Sequence, residues 1–229
     1  MAKKKLPPAK RSQEKPSKKK TPKENNWLEA LIPLFKKYHG KKHPLDYSNT
    51  YQLVVAVILS AQDSDRHINA LAPAFFKEFP SLKVLAKATP ESLYPLIGSV
   101  RNFANKAMWL ISLAQTVKDD KNIPATLEKL TGLSGIGRKS ANVIISETGG
   151  TMEGVIVDLH VLRVAPRLGI AQGTNPVKIE KQLMEQIPQQ YWKDLGMSLT
   201  FLGREICRPT DPKCPECPVN NSCEYYKNQ

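Results

Sequence analysis

The sequence predicts an all-α protein, and three observations carry the prediction. Apolar residues recur at helical spacing almost everywhere beyond the first two dozen positions. Helix-starting residues stand ahead of several of these runs, as in Thr89-Pro90 and Asn175-Pro176. No pair of segments with alternating polarity is present from which a sheet could be paired.

Taken in order, residues 1–23 form a basic tail. They hold ten Lys or Arg (Lys3, Lys4, Lys5, Lys10, Arg11, Lys15, Lys18, Lys19, Lys20, Lys23) and one acid, Glu14. Such Lys-, Pro- and Ser-rich chain buries too little apolar surface to offset ordering entropy, so disorder is expected. Trp27, Leu28, Leu31, Ile32, Phe35 and Tyr38 then share one stripe of a helix. Ser48 is expected to start the next helix. Tyr51 to Leu59 is apolar all round and rich in β-branched residues, and without a partner strand it reads as a buried central helix. Phe103, Ala107, Leu110, Ile111 and Ala114 make a second stripe. Val177, Glu180, Leu183, Met184 and Ile187 make a third, with one polar member. About ten short helices are expected in all.

The chain of 229 residues carries 34 Lys and Arg against 21 Asp and Glu; beyond residue 23 the balance is 24 bases to 20 acids. The excess therefore sits mostly in the tail. It suits a polyanion, whose condensed counterions are released as phosphates are neutralised, and it equally suits a solubilising tail. No apolar run approaches the roughly 20 residues that span a bilayer, and the N-terminus lacks a secretory pattern. A protein without a membrane segment is expected, cytoplasmic or nucleoid-bound in a bacterium. In a eukaryote Lys18-Lys19-Lys20 could direct it to the nucleus.

Two glycines one residue apart, in Leu133-Ser134-Gly135-Ile136-Gly137-Arg138-Lys139-Ser140, permit a tight turn between a short helical stretch at 125–130 and a run at 141–147. Ile136 is expected to anchor the turn in the core. The exposed amides opening the second helix form an anion site suited to a backbone phosphate. Lys139 stands at that helix start, where the macrodipole disfavours an extra cation and so favours the neutral, nucleophilic amine. Asp158 follows a Gly149-Gly150 turn and the extended Val155-Ile156-Val157, where capping a helix is its simplest role. Cys207, Cys214, Cys217 and Cys223 fall within 17 residues as C-x6-C-x2-C-x5-C. That clustering favours a metal over disulfides and leaves structural zinc and an iron–sulfur cluster both open.

Leu133 to Ala141 resembles the hairpin of the endonuclease III family, whose catalytic lysine matches Lys139. Val157-Asp158-Leu159-His160-Val161 resembles that family's Val-Asp-Thr-His motif, which puts Asp158 in the place of the catalytic aspartate and leaves His160 a structural part. Leu159 and Ser140 depart from the usual Thr at their positions. The cysteine spacing is that family's [4Fe–4S] signature, and its cluster loop, Arg208 to Lys213 here, contacts DNA phosphates, so Arg208 and Lys213 are expected to do so. Ile58-Leu59-Ser60-Ala61-Gln62 resembles the segment whose glutamine fills the gap left by an extruded nucleotide, so Gln62 is expected there. Asn102 and Phe103 are both candidates for a second wedge.

The resemblance spans roughly residues 27–226. It implies two helical domains flanking a DNA-binding cleft: a six-helix barrel carrying the helix–hairpin–helix (45–149) and an iron–sulfur domain combining 24–44 with 150–229. It implies a monomer acting on double-stranded DNA with damaged bases or abasic sites. It would be a bifunctional glycosylase for oxidised pyrimidines with abasic-site lyase activity. Gly135, Ile136, Gly137, Arg138 and Ser140 would hold the DNA backbone. The alternatives are a monofunctional adenine or mismatch-thymine glycosylase of the same superfamily and a non-catalytic DNA-binding module. Lys139 argues against the first kind, and Lys139 together with Asp158 against the second.

Overall fold

The computed structural model describes residues 26–229; the basic tail lies outside them. Among the described residues twelve α-helices follow one another: α1 (Trp27–Tyr38), α2 (Thr50–Leu59), α3 (Asp65–Glu78), α4 (Leu82–Leu85), α5 (Pro90–Ile97), α6 (Phe103–Val117), α7 (Leu127–Thr131), α8 (Arg138–Thr148), α9 (Leu159–Leu168), α10 (Pro176–Gln186), α11 (Trp192–Glu205) and α12 (Glu224–Lys227). Four one-turn 3₁₀ segments complete them, and no strand is present among the described residues.

Local chemistry explains most of the boundaries. Asn49, not Ser48, caps α2: its side chain accepts from the Gln52 amide, while the Ser48 amide donates to the Gln52 side chain. Asn175 caps α10 through the amides of Val177 and Lys178, with Pro176 supplying the fixed φ of a first helical position. The helix after the hairpin starts earlier than its apolar run suggests, at Arg138, because Gly137 already serves as its N-cap.

Two apolar clusters form. The first runs from Leu45 to Ile156 and is centred on α2, in which Tyr51 and Leu53 to Leu59 are all buried, as the all-round apolar run predicts. The second joins α1 to the C-terminal half, from Val155 to Cys223. On α1 the inward face is Trp27, Leu31, Leu34 and Tyr38; Ile32 is 42% exposed, so the buried stripe is narrower than the sequence suggests and rotated toward Leu34. The extended link Val155-Ile156-Val157 separates the clusters by period-two alternation, with Val155 and Val157 entering the second and Ile156 the first. Gly196 of α11 lies against that link; a Cβ there would sit 2.9 Å from Ile156 Cβ and 3.0 Å from its backbone nitrogen.

Polar pairs bridge the two halves. Arg204 of α11 meets Asp65 of α3 at 2.8 Å. Arg138 Nε of α8 donates to Glu180 Oε2 of α10 at 2.6 Å. The polar member of the third stripe is thus buried because it is paired. Glu180 Oε1 also accepts from the buried Asn142 at 3.3 Å. Gly154 leaves room for this knot, since a Cβ there would overlap the Glu180 carboxylate and lie 2.8 Å from Asn142 Nδ2.

Candidate active site and nucleic-acid interface

The turn before α8 is built as its glycines require. Gly135 has φ +80°, and an added Cβ would fall 3.1 Å from Trp109 Cβ and 3.3 Å from Ile58, so both the left-handed backbone and the close packing demand glycine. Ile136 is buried in the first cluster and pins the turn, as expected. Gly137 has nothing within 4 Å of where a Cβ would be, so its face is bare and open to a large partner. The first amides of α8 follow, ahead of any intrahelical acceptor.

Lys139 and Ser140, in the first turn of α8, line a cleft of about 1170 Å³ together with Gln62, Asp158, Leu159 and His160. Lys139 is exposed and its ammonium makes no hydrogen bond or ion pair among the described residues. Asp158 is half-buried and is the N-cap of α9: its Oδ1 accepts from the amides of His160 and Val161, both at 2.8 Å. Oδ2 makes no hydrogen bond among the described residues, so one carboxylate oxygen is committed to the helix and one is left for other work. Fields from the N-termini of α8 and α9 favour negative charge around this part of the cleft. His160 fits a structural part, with Nδ1 3.3 Å from Arg163 Nη2 and Gly203 packed on its Cβ. Burial pulls its imidazole below the ordinary range, against the raising effect of Asp158. Leu159 stands 79% exposed in the same cleft.

Glu180 holds Arg138 through its Nε, while 44% of the Arg138 side chain stays accessible. Arg208 and Lys213 are exposed on the loop between the first two cysteines and do not line the cleft. Lys213 is 3.7 Å from Glu216. Arg167 organises this loop by donating to the Arg208 carbonyl at 2.7 Å and the Pro209 carbonyl at 3.0 Å, and its guanidinium lies 4.7 Å over Tyr225.

None of the four cysteines is in a disulfide, and all four line one recess with Leu168, Leu202 and Ile206. Arg167 Nη1 stands 3.6 Å from Cys207 Sγ, and Gln229 Nε2 stands 3.9 Å from Cys214 Sγ. Burial pushes the Cys217 thiol up to about 11. Among the described residues no three metal-ligating side chains converge as they would around a single ion.

Sequence reasoning missed several residues of the cleft. Pro44, Asp65 and Arg204 line it, and His43 lies beside Lys139 and Asp158 in an adjoining recess. Burial lowers the His43 imidazole against the raising charges of Glu147 and Asp65, with smaller lowering contributions from Lys139 and Arg204. Asp65 carries no local mark of its role, since its partner Arg204 lies 139 positions away. For the two wedge candidates the structure differs: Phe103 packs edge-on against Tyr94 at 5.1 Å, whereas Asn102 is exposed at the tip with φ +59°.

Comparison with known proteins gives one consistent result. Residues 55–189 match the model of the HhH-GPD superfamily base excision DNA repair proteins. The chain is 37% identical over 197 residues to endonuclease III of Synechocystis sp., covering 85% of this chain and 90% of that one. It is 35% identical over 182 residues to endonuclease III of Bacillus subtilis, covering 78% and 83%. A solved non-covalent endonuclease III–DNA complex superposes with a TM-score of 0.81 at 30% identity, covering 90% of this chain and 97% of that chain. A thermostable thymine-DNA glycosylase shares the fold at 18% identity and a TM-score of 0.76. No described helix is long and apolar enough to cross a membrane.

Proposed function

Because the chain belongs to the endonuclease III family of base excision DNA repair proteins, we propose that it removes oxidised pyrimidines from double-stranded DNA and then cleaves the abasic strand through a Schiff base on Lys139. The observation that carries this reading is that Lys139, in the first turn of α8, and Asp158, the N-cap of α9, line one cleft of about 1170 Å³.

The chemistry follows from these two groups. The ionised Asp158 carboxylate, capped to α9 through Oδ1, stabilises positive charge developing on the sugar and assists loss of a proton from the Lys139 ammonium. The neutral amine attacks C1′ and the damaged base leaves with the electrons of the glycosidic bond. Ring opening gives the protonated Schiff base, loss of a C2′ proton follows, and the C3′–O bond breaks by β-elimination. Gln62 fills the gap left by the extruded nucleotide. The amides after Gly135-Ile136-Gly137, with Ser140 and the accessible part of Arg138, hold the DNA backbone on one side of the cleft. Arg208 and Lys213 hold it on the other.

The same reading assigns a [4Fe–4S] cluster to Cys207, Cys214, Cys217 and Cys223. Four cysteines line one recess in the spacing C-x6-C-x2-C-x5-C, and this donor set fits an iron–sulfur cluster. The Arg167 guanidinium at Cys207 Sγ suits an anionic metal–thiolate group. Bound there, the cluster would tie the C-terminal segment, which has little apolar content, to α9 and α11. We also propose the division into a barrel domain at 45–149 and a cluster domain built from 24–44 and 150–229, a monomeric state, and action on nucleoid DNA in a bacterial cell.

The test is borohydride trapping on a duplex carrying one thymine glycol. A covalent adduct with the wild-type protein that disappears in Lys139→Gln supports the Schiff base. A protein that binds the duplex and yields no adduct is a monofunctional glycosylase or a binding module instead.

A further inference from the structure

Two exposed turns beside the cleft carry non-glycine residues in the left-handed region, Gln62 at φ +60° and Asn102 at φ +59°. Such a backbone is strained for a residue with a side chain and persists only where its surroundings over-determine it. Here they do, through a set of bonds joining one turn to the other.

Lys106, buried in the first turns of α6, donates to the carbonyls of Leu59 at 2.7 Å and Ala61 at 2.6 Å. It places a cation at the negative end of α2 immediately before Gln62. Asp63 follows Gln62 and bridges outward: its Oδ2 accepts the Arg101 amide at 3.1 Å, one residue before Asn102. Its Oδ1 faces His67 Nδ1 at 2.8 Å and also accepts the Ser64 amide. That carboxylate fixes the Nδ1–H tautomer of His67, and Nε2 is left to accept the Ser99 hydroxyl at 2.9 Å. One turn is thus tied to the other twice, at Arg101 and at Ser99, through Asp63.

The order carboxylate, imidazole, hydroxyl is that of a nucleophilic triad, but neither His67 nor Ser99 lines the cleft. The other oxygen of the carboxylate is taken up by the opposite turn. These groups fasten.

We infer that Asp63, His67 and Ser99 are positioning residues that lock the Gln62 and Asn102 turns into one two-pronged unit, so that both tips enter the duplex in fixed register. The inference rests on the reading of Gln62 as the group that fills the gap. With the ties cut, each tip is free to leave its left-handed conformation, and the two no longer arrive together. A lesion facing a normal base feels this, because the orphaned base must be met and the gap filled. A lesion facing an abasic site has no orphaned base to meet.

The experiment compares single-turnover base release from duplexes carrying thymine glycol opposite adenine or opposite an abasic site, for the wild type, Asp63→Ala, Ser99→Ala and the double variant. Asp63→Ala is expected to slow the adenine-paired substrate about tenfold and the other much less, as sub-ångström misplacement does. Because Asp63→Ala already cuts the tie through His67 that Ser99→Ala removes, as well as the tie to Arg101, the two single effects are expected not to add. Equal slowing on both substrates, no slowing, or additive effects each overturn the inference.

A second readout is independent of activity: 2-aminopurine opposite a stable abasic analogue, whose fluorescence changes as the tips displace it. The change is expected to shrink in Asp63→Ala at saturating protein; an unaltered signal overturns the inference. A wild-type protein that perturbs the 2-aminopurine but releases no base overturns the proposed function and leaves this inference standing.

Discussion

Truncating Glu180 to alanine should lower stability by about 3 kcal/mol. The number is built from what the carboxylate touches. Its side chain is 6% exposed and accepts from Arg138 Nε at 2.6 Å and from Asn142 Nδ2 at 3.3 Å. Breaking a fully buried ion pair costs about 3–5 kcal/mol, but Arg138 is 44% exposed and regains water, which brings that loss down to about 2 kcal/mol. Asn142 cannot regain water, since it is fully buried and its Oδ1 already lacks a partner. Losing its acceptor adds about 1 kcal/mol. At about 2–4 °C per kcal/mol for a chain of this size, the melting temperature should fall by about 6–12 °C. Thermal unfolding followed by circular dichroism measures it. A control isolates the cause: Gly154→Ala should destabilise the wild type, where its Cβ overlaps the carboxylate, and do far less harm once Glu180 is alanine. A melting temperature within about 2 °C of wild type, or additive effects of the two substitutions, would refute the reasoning.

Further outcomes can be checked alongside. Burial opposes ionisation of Asp63, yet hydrogen bonds from His67, Arg101 and Ser64 outweigh it and hold the carboxyl below its usual 3.8. Its stabilising contribution is therefore present above that pH and disappears as pH falls through the lowered value. Urea unfolding should show a gap of about 1–2 kcal/mol between wild type and Asp63→Asn at pH 6, closing in strong acid; a gap that widens in acid contradicts the assignment. Cys217→Ser should lower iron and sulfide content per chain and expose the segment beyond Cys207 to protease, and full iron retention would argue against that ligand. Removing residues 1–23, with their ten bases and one acid, should flatten the dependence of DNA affinity on salt, since each phosphate contact contributes about 0.9 to the slope. Single-turnover chemistry should change little, and an unaltered slope would show that the tail does not touch DNA.

What could be read from the sequence was what is encoded within a few residues. The Gly135-Ile136-Gly137 turn, the Asp158 cap and the cysteine spacing are local devices, and the buried run of α2 announces itself by composition. Helix starts depend on competition between adjacent candidates, which is why Asn49 displaced Ser48 and why Gly137 set the start of α8. Pairings across the fold carry no such mark. Glu180 stood out only as an odd polar residue in an apolar stripe, 42 positions from Arg138. Asp63 reaches Arg101 across 38 positions, and His67 reaches Ser99 across 32. For each pair, loop closure by the whole intervening fold decides the contact.

The split of the second apolar cluster between α1 and the C-terminal half has a consequence for synthesis on the ribosome. The buried members of the first cluster all lie between Leu45 and Ile156 and emerge as one block, with Trp192 and Met197 packing onto it later. Leu31 and Leu34 of α1 emerge before that block, yet their partners begin only at Val155 and extend to Cys223. At about 5–20 residues per second, α1 is therefore exported with its apolar face uncovered for on the order of ten seconds while the rest of the chain is made. During that interval the nascent protein displays Trp27, Leu31 and Leu34 without the C-terminal residues that later cover them.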